Sequence, residues 1–205
     1  MVRAILDGTK TQTRRICKTT KDPDTGCEIA PCEIGLTFAN RLGDVCPFGT
    51  VGDRLWVRET WQCAVIAGEH KGIGYRAGYD DDNEWFKRND DLQWFKLWDK
   101  HQDKWRPSIF MPRWASRITL EITGVRVDRL NEIRAMDCIA EGIESHKLVL
   151  ENATLTTFRN YKTGGTNAAA TTSYQTLWES INGPGSWAKN PYVWVIEFQN
   201  ARQLA

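Results

Sequence analysis

Residues 8–15, Gly-Thr-Lys-Thr-Gln-Thr-Arg-Arg, crowd one amine, three hydroxyls and two guanidinium groups into a single short stretch. A lysine amine acts as a base only when some of it is neutral. Partial burial and the neighbouring charges of Arg14 and Arg15 would push the Lys10 pKa down, toward that state. Thr13 would supply a hydroxyl for such a base to activate. The plainer reading is a solvated basic turn, the usual fate of a charge cluster. Residues three apart point to opposite faces of a regular strand, so the stretch 10–13 must bend if Lys10 and Thr13 are to meet one substrate atom.

Other chemistries are poorly served. His70, His101 and His146 are scattered, and no H-x-E partner with P-C-x-x-C exists, which removes a zinc deaminase. Walker, dinucleotide-fingerprint and G-x-S-x-G patterns are absent. Cys17, Cys27, Cys32 and Cys46 share a loop-rich stretch, but none forms a C-x-x-C knuckle, so the expectation is reduced thiols, no metal and no cofactor, with zinc as the alternative.

Lys and Arg total 27 against 26 Asp and Glu, a net charge of +1 that provides no global field for nucleic acid or anionic membrane. Any RNA contact should be weak, and the partner is expected to be a small molecule. With 41% hydrophobic and 26% charged residues and no apolar run of membrane-spanning length, the chain reads as one globular domain over 1–205, a monomer or small homo-oligomer. The opening MVRAILDGTK has no apolar signal region or cleavage site, so a cytoplasmic location is expected.

The elements that must position these groups follow from spacing. Val2, Ile5 and Leu6 predict a short helix, with Gly8 as its left-handed cap, leading into a strand that ends near Ile16. Insertions are expected at about 17–50, 78–106 and 150–172. The first is a Pro/Gly-rich loop. The second holds the acidic run Asp80–Asp82, Trp85, Trp94, Trp98, two copies of Trp-Phe-Lys and a helix from Asp90 to about Lys100. The third is a mobile loop over Asn152–Thr172. Gly52-Asp53 should turn into a strand, Arg54–Trp61. A second strand, Ile118–Val127, changes phase at Gly124 and implies a bulge there. Asn131–Glu141 reads as a helix with Ile133, Met136 and Ala140 on its buried stripe and Gly142 as its stop. Another helix carries Tyr174, Leu177, Trp178 and Ile181 and ends near Gly183, and Tyr192–Phe198 reads as a strand covered on both faces.

The pattern G-x-K-T-x-T-x-R at Gly8, Lys10, Thr11, Thr13 and Arg15, the turn Gly52-Asp53, Ala140-Glu141-Gly142 and the final Val195-Ile-Glu-Phe198 resemble the ASCH domain. The longer runs Gly52–Trp61, Met111–Ile118 and Leu177–Gly183 resemble a prophage and bacterial subgroup of that family. The resemblance implies an α+β fold, a PUA-like β-barrel of about five to six mostly antiparallel strands flanked by short helices, with long loop insertions. Relatives often carry one more strand ahead of the first helix, so this barrel is expected to lack a strand or to close differently.

Some ASCH proteins are amidohydrolases that remove the acyl group from N4-acetylcytidine and related N4-acylated cytosines. Their catalytic Lys, Thr and Glu fall by motif on Lys10, Thr13 and Glu141. In chemical terms, Lys10 is the base, Thr13 attacks the acyl carbonyl, and Glu141 protonates the departing amine. A helix end, where the macrodipole opposes a carboxylate, suits that last role. Arg15 would hold a developing oxyanion or a base carbonyl. Arg58 and Glu59 would face the same pocket, and Trp61 or Trp114 would stack on the pyrimidine. The three catalytic candidates are not apolar core residues, so folding is expected to survive their removal. The rival readings are an RNA-binding module or ribonuclease of the same superfamily, and a phage accessory protein without activity.

Overall fold

A computed structural model describes residues 1–38, 40–66, 70–78, 104–150 and 153–201. The features anticipated between Asp80 and Lys100, and His101, lie outside them. The chain is a mixture of helices and antiparallel sheets grouped into two compact units, the first containing Arg3–Arg54 and Glu121–Gln199, the second Leu55–Leu120.

The first unit opens with the helix Val2–Leu6, which ends at Gly8, φ +73°, as its spacing predicts. Strand β1, Gln12–Ile16, follows, then a small hairpin of β2, Thr20–Lys21, and β3, Glu28–Ile29. The helices Pro31–Thr37 and Leu42–Val45 complete the stretch expected to be a loop. Ile29, Ile34, Phe38 and Val45 are buried there, so prolines that looked like loop punctuation instead start or flank short elements that bury four apolar side chains.

The anticipated strand Arg54–Trp61 is broken. Strand β4, Arg54–Trp56, stops early, and pairing resumes only in β5, Trp61–Ile66, which is hairpinned to β6, His70–Tyr75. Between them Val57 N–H still reaches Ile118 O at 3.0 Å, but Glu59 N–H points to the Met111 sulfur at 3.2 Å, so the ladder cannot continue. In the second unit Trp61, Cys63, Ile73, Tyr75, Met111 and Ala115 form the core, with Trp114 packed against it.

Strand β7, Thr119–Arg129, runs through Gly124 without interruption. A Cβ there would come within 2.8 Å of Glu197 Oε2, and this close approach accounts for the glycine. The helix expected over Asn131–Glu141 is shorter. A 3-10 turn, Leu130–Glu132, precedes the helix Ala135–Ala140, and the shift in phase leaves Met136 76% exposed while Leu130, Ile133 and Cys138 are buried.

The stretch 150–172 is likewise built rather than loose. Strand β8, Ser145–Leu150, pairs with β9, Ala153–Arg159, which pairs with β10, Thr166–Asn167. The Thr-rich composition that suggested a linker supplies β-branched residues, Thr154, Thr156 and Thr157, that suit a strand. The helix Ala170–Asn182 ends at Gly183, φ +91°, and β11, Tyr192–Asn200, closes the chain's regular structure.

The largest sheet has the order β1-β11-β7-β4, with Thr13 opposite Ile196 and Arg15 opposite Trp194. Val193, Trp194, Val195 and Ile196 are all buried, as expected for a strand covered on both faces. Val193 and Val195 share a core with Leu130, Ile133, Cys138, Tyr174 and Trp178. Among the described residues no helix is long and apolar enough to cross a membrane.

The core thiols make the fold sensitive to alkali. Burial pushes Cys17 and Cys63 up to about 11 and Cys138 up to about 12, from an ordinary 9.0. The unfolded thiols lose their protons first, so stability drains away as pH rises above about 9. Denaturant melts between pH 8 and about 10.5 should show a falling midpoint, with a shallower fall in Cys138→Ala. A midpoint that is flat in both proteins overturns this account.

Candidate functional site

The convergence of Lys10 and Glu141 begins with the way the loop 8–11 is tied down. Lys10 N–H donates to Ala4 O at 2.8 Å, Thr11 N–H to Ala140 O at 2.8 Å, and Phe198 N–H to Thr11 O at 2.9 Å. These bonds fasten the loop to the first helix, to the end of the helix Ala135–Ala140 and to β11. Lys10 therefore sits before β1 rather than on it, so the alternation of a regular strand does not apply across 10–13.

Lys10 is 4% exposed and Glu141 5%. Lys10 Nζ donates to Gln12 O at 2.8 Å, to Glu141 O at 2.7 Å and to Glu141 Oε2 at 2.9 Å, so all three of its donors are used. The other carboxylate oxygen, Oε1, accepts from Tyr174 Oη at 3.3 Å and lies 3.6 Å from Arg14 Nη1. Burial lowers the Lys10 pKa from its ordinary value. The Glu141 carboxylate pulls it back up, and Arg15 and Arg14 add to the lowering. Burial, reinforced by the Glu141 charge, raises Tyr174 well above the usual phenol value, so its hydroxyl remains a donor.

A second layer supports the pair. Gln12 and Arg14 alternate as the buried positions of β1, while Thr13 is half-buried and Arg15 exposed. Arg14 Nη1 donates to Gln12 Oε1, and Nη2 is 3.4 Å from Asp137 Oδ2. Gln12 Nε2 reaches Asp137 Oδ1 and Glu197 Oε1, both at 3.3 Å. Partial burial works against ionisation of Asp137, but Arg134 N–H, Arg14, Gln12 and Arg126 together hold its carboxyl below the usual value. Arg126 joins Asp137, Asp128 and Glu197 on the partly exposed side.

Thr13 and Glu141 line one cleft of about 60 Å³, together with Arg14, Arg15, Tyr174, Leu177 and Trp178. Among the described residues no hydrogen bond engages the Thr13 hydroxyl, so Lys10 and Thr13 are not in direct contact through it. Glu141 is the member of the buried pair that reaches the cleft. Gln12, Arg14, Asp137 and Tyr174 were not anticipated as site residues. Their signals in the sequence were the alternation Gln12/Arg14 and the one-turn spacing of Tyr174 and Trp178.

The remaining expected residues belong to the second unit and have structural partners there. Glu59, 2% exposed, pairs with Arg117 through bonds of 3.0 and 3.1 Å rather than with Arg58. Arg117 also lies over the Tyr75 ring at 4.3 Å. Arg58 is exposed, stacks on Trp56 at 4.6 Å and donates to Ile109 O at 3.4 Å. Trp61 is 1% exposed at the centre of its core and Trp114 packs on the same core, so Trp61 has no face to offer a pyrimidine. Among the described residues no three His, Cys, Asp or Glu side chains group as a metal site.

The burial of the pair gives the removal of Lys10 or Glu141 a cost that the expectation of surviving folding did not include. Removing Lys10 leaves the buried Glu141 carboxylate with only Arg14 at 3.6 Å as a charge partner, and breaking a buried pair typically costs about 3–5 kcal/mol. Lys10→Met should lose stability on that scale, measured by urea melts, and a loss under about 1 kcal/mol would show the pair to be solvated. Gly142, φ +78°, is equally constrained, because a Cβ would sit 2.8 Å from Lys10 Cβ and 3.0 Å from Ala4 Cβ. Gly142→Ala should cost roughly 1–3 kcal/mol from backbone strain, plus the clash.

In comparisons with known proteins, no family model, no curated protein and no solved structure matches this chain.

Proposed function

We propose that the chain is a metal-free amidohydrolase that removes the acyl group from N4-acetylcytidine and related N4-acylated cytosine nucleosides, giving cytidine and a carboxylic acid. Its fold would be of the PUA-like ASCH type that the motifs resemble. The observation that carries the reading is the meeting of Lys10 and Glu141, 131 residues apart, at 2.9 Å, with Glu141 and Thr13 lining one cleft.

In this reading the pair handles one proton. Lys10, whose pKa burial lowers, is the basic member, and Glu141, which reaches the cleft, passes the proton in either direction. Thr13 Oγ1 attacks the acyl carbon while its proton moves to the pair. The bond from the acyl carbon to N4 breaks as Glu141 returns that proton to the departing amine. Water then hydrolyses the Thr13 ester, releasing the acid and restoring the hydroxyl. Arg15, exposed at the cleft, would provide donors, and buried Arg14 adds positive charge beside it, suited to the oxyanion that forms on the acyl oxygen.

One observation favours the rival reading of an accessory protein without activity. The three donors of Lys10 are saturated, which is what a structural lysine requires. Catalysis and structure make different predictions for variants that keep the shape of the site. Purified protein should hydrolyse N4-acetylcytidine, faster as pH rises from acid toward neutral and mildly alkaline values, then slower once no proton is left to donate. Thr13→Ala and Glu141→Gln should each lower kcat by about a hundredfold or more, with melting checked in parallel. A folded Thr13→Ala protein with normal turnover would assign the attack to water. Wild-type protein without turnover on any N4-acylcytidine would leave the accessory reading standing.

A further inference from the structure

Strand β1 stands at one end of the order β1-β11-β7-β4, so one of its edges has no neighbouring strand. The register shows which main-chain groups face that edge. Phe198 N–H donates to Thr11 O at 2.9 Å and Cys17 N–H to Tyr192 O at 2.8 Å, and Thr13 and Arg15 stand opposite Ile196 and Trp194 in the same register. Successive residues of an antiparallel strand turn their N–H and C=O to opposite sides, so Thr13 and Arg15 face β11 while Gln12, Arg14 and Ile16 face away from it. Gln12 O bears this out, because Lys10 Nζ donates to it at 2.8 Å from the far side. Among the described residues the main-chain N–H and C=O of Arg14 and Ile16 make no hydrogen bond. Two residues of open strand edge are left, a template for any group that matches them.

The cleft runs along this open edge. Thr13, Arg14, Arg15 and Ile16 all line it, and because their side chains alternate between the two faces of the sheet, a space over one face alone would not be lined by all four. The edge toward β11 is filled, which leaves the other. Arg14 as a residue is 3% exposed while its side chain is 0% exposed, so the part of Arg14 that reaches solvent is its main chain. Across the cleft, Tyr174, Leu177, Trp178 and Ile181 form one stripe of the helix Ala170–Asn182. Ile16, 44% exposed, and Ile181, 57% exposed, give the cleft an apolar rim. Glu141 lies at the Gln12 end, since Lys10 Nζ holds both Gln12 O and Glu141 Oε2.

On such an edge the C=O of one residue and the N–H two residues on face the same way, an acceptor beside a donor. Arg14 O and Ile16 N–H are that pair. Their complement is a planar ring with a donor next to an acceptor, as N4–H and N3 are in cytosine. We infer that the open edge of β1 holds cytosine by its Watson–Crick edge, with N4–H donating to Arg14 O, N3 accepting from Ile16 N–H, and the ring resting on the rim of Ile16 and Ile181. The direction of the base rests on the proposed hydrolysis, which puts the acylated N4 at the Glu141 end. Uracil in that direction sets O4 against Arg14 O and N3–H against Ile16 N–H, two acceptors and two donors face to face. Selectivity for cytosine then comes from the main chain, which no side chain in the sequence announces.

Hydrogen exchange of single amides in the full chain reads the edge without turnover. In the free protein the Ile16 N–H should exchange quickly with deuterium, while the N–H groups of Thr13 and Arg15, which face β11, exchange slowly. Saturating cytidine should slow Ile16 and leave Thr13 and Arg15 as they were. Uridine and N4,N4-dimethylcytidine, which lack N4–H, should bind about tenfold more weakly or worse, the scale of one lost hydrogen bond. Ile16→Pro removes the outward N–H at an edge position of the kind where proline is tolerated, and should weaken cytidine by a similar factor. The exchange pattern of the unaltered chain decides if that variant does not fold. An Ile16 N–H indifferent to cytidine would overturn the inference, as would equal affinity for uridine. Slowing of the same N–H by protein concentration alone would also overturn it and give the edge to a second copy of the chain. The two proposals fail separately. Protection by cytidine without hydrolysis of any N4-acylcytidine keeps the cytosine edge and removes the hydrolase, while hydrolysis with Ile16 unprotected does the reverse.

Discussion

The burial of one ion pair constrains much of the first unit. Lys10 and Glu141 give up water together, and the loss is tolerable only because each has its hydrogen bonds met: three acceptors for the ammonium, and Lys10 and Tyr174 for the two carboxylate oxygens. Two of those acceptors are backbone carbonyls, so the side-chain geometry is locked to the main chain at Gln12 and Glu141. The same demand explains Gly142, where a side chain would push Lys10 out of place, and the bonds that pin residues 10 and 11 to Ala4 and Ala140. Arg14, buried beside the pair, extends the demand outward through Gln12 to Asp137 and from there to Arg126. A network that depends on so many partners specifies one arrangement more strongly than it stabilises it.

Much of the frame was legible in the sequence. The helix Val2–Leu6, the left-handed cap at Gly8, the helix ending at Gly183 and the doubly covered strand Tyr192–Asn200 all follow from periodicity and stop signals that act locally. The meeting of Lys10 with Glu141 was legible only through resemblance, since no rule of spacing links residues 131 apart. Arg14 was hidden for the opposite reason. It stands in a run of polar residues that looks solvated, and only the period of two within β1 shows that Gln12 and Arg14 point inward.

The failures share a physical cause. Composition stood in for structure at 150–172, where threonines that suggest a linker are β-branched and pair across a hairpin, and at 17–50, where prolines begin or flank short helices. Trp61 shows the same limit from the other side. An aromatic residue near the end of a strand can stack on a ligand or fill a core, and its local sequence is the same in both cases. Its fate was decided by Met111, Ala115 and Tyr75, which arrive from other segments.

A lysine with every donor engaged is a poor base as it stands, yet in the proposed hydrolysis the arrangement that saturates it would also give it a route to act. The hydrogen bond to Glu141 Oε2 joins an amine whose protonated form is disfavoured by burial to a carboxylate that reaches the cleft. Moving the shared proton from Lys10 to Glu141 would turn two charges into two neutral groups and leave the pair's net charge unchanged. Tyr174, held protonated, donates to the other oxygen of that carboxylate, which also lies 3.6 Å from Arg14 Nη1. In the proposed hydrolysis, deleting Lys10 would therefore have two consequences that differ in kind: a loss of folding free energy from the weakened ion pair, and a loss of proton transfer at the cleft. A variant that restores stability without restoring the amine separates them. Lys10→Met with Glu141→Gln removes both charges while keeping Thr13 and the shape of the cleft, so any hydrolysis it retained would have to be carried out without the pair.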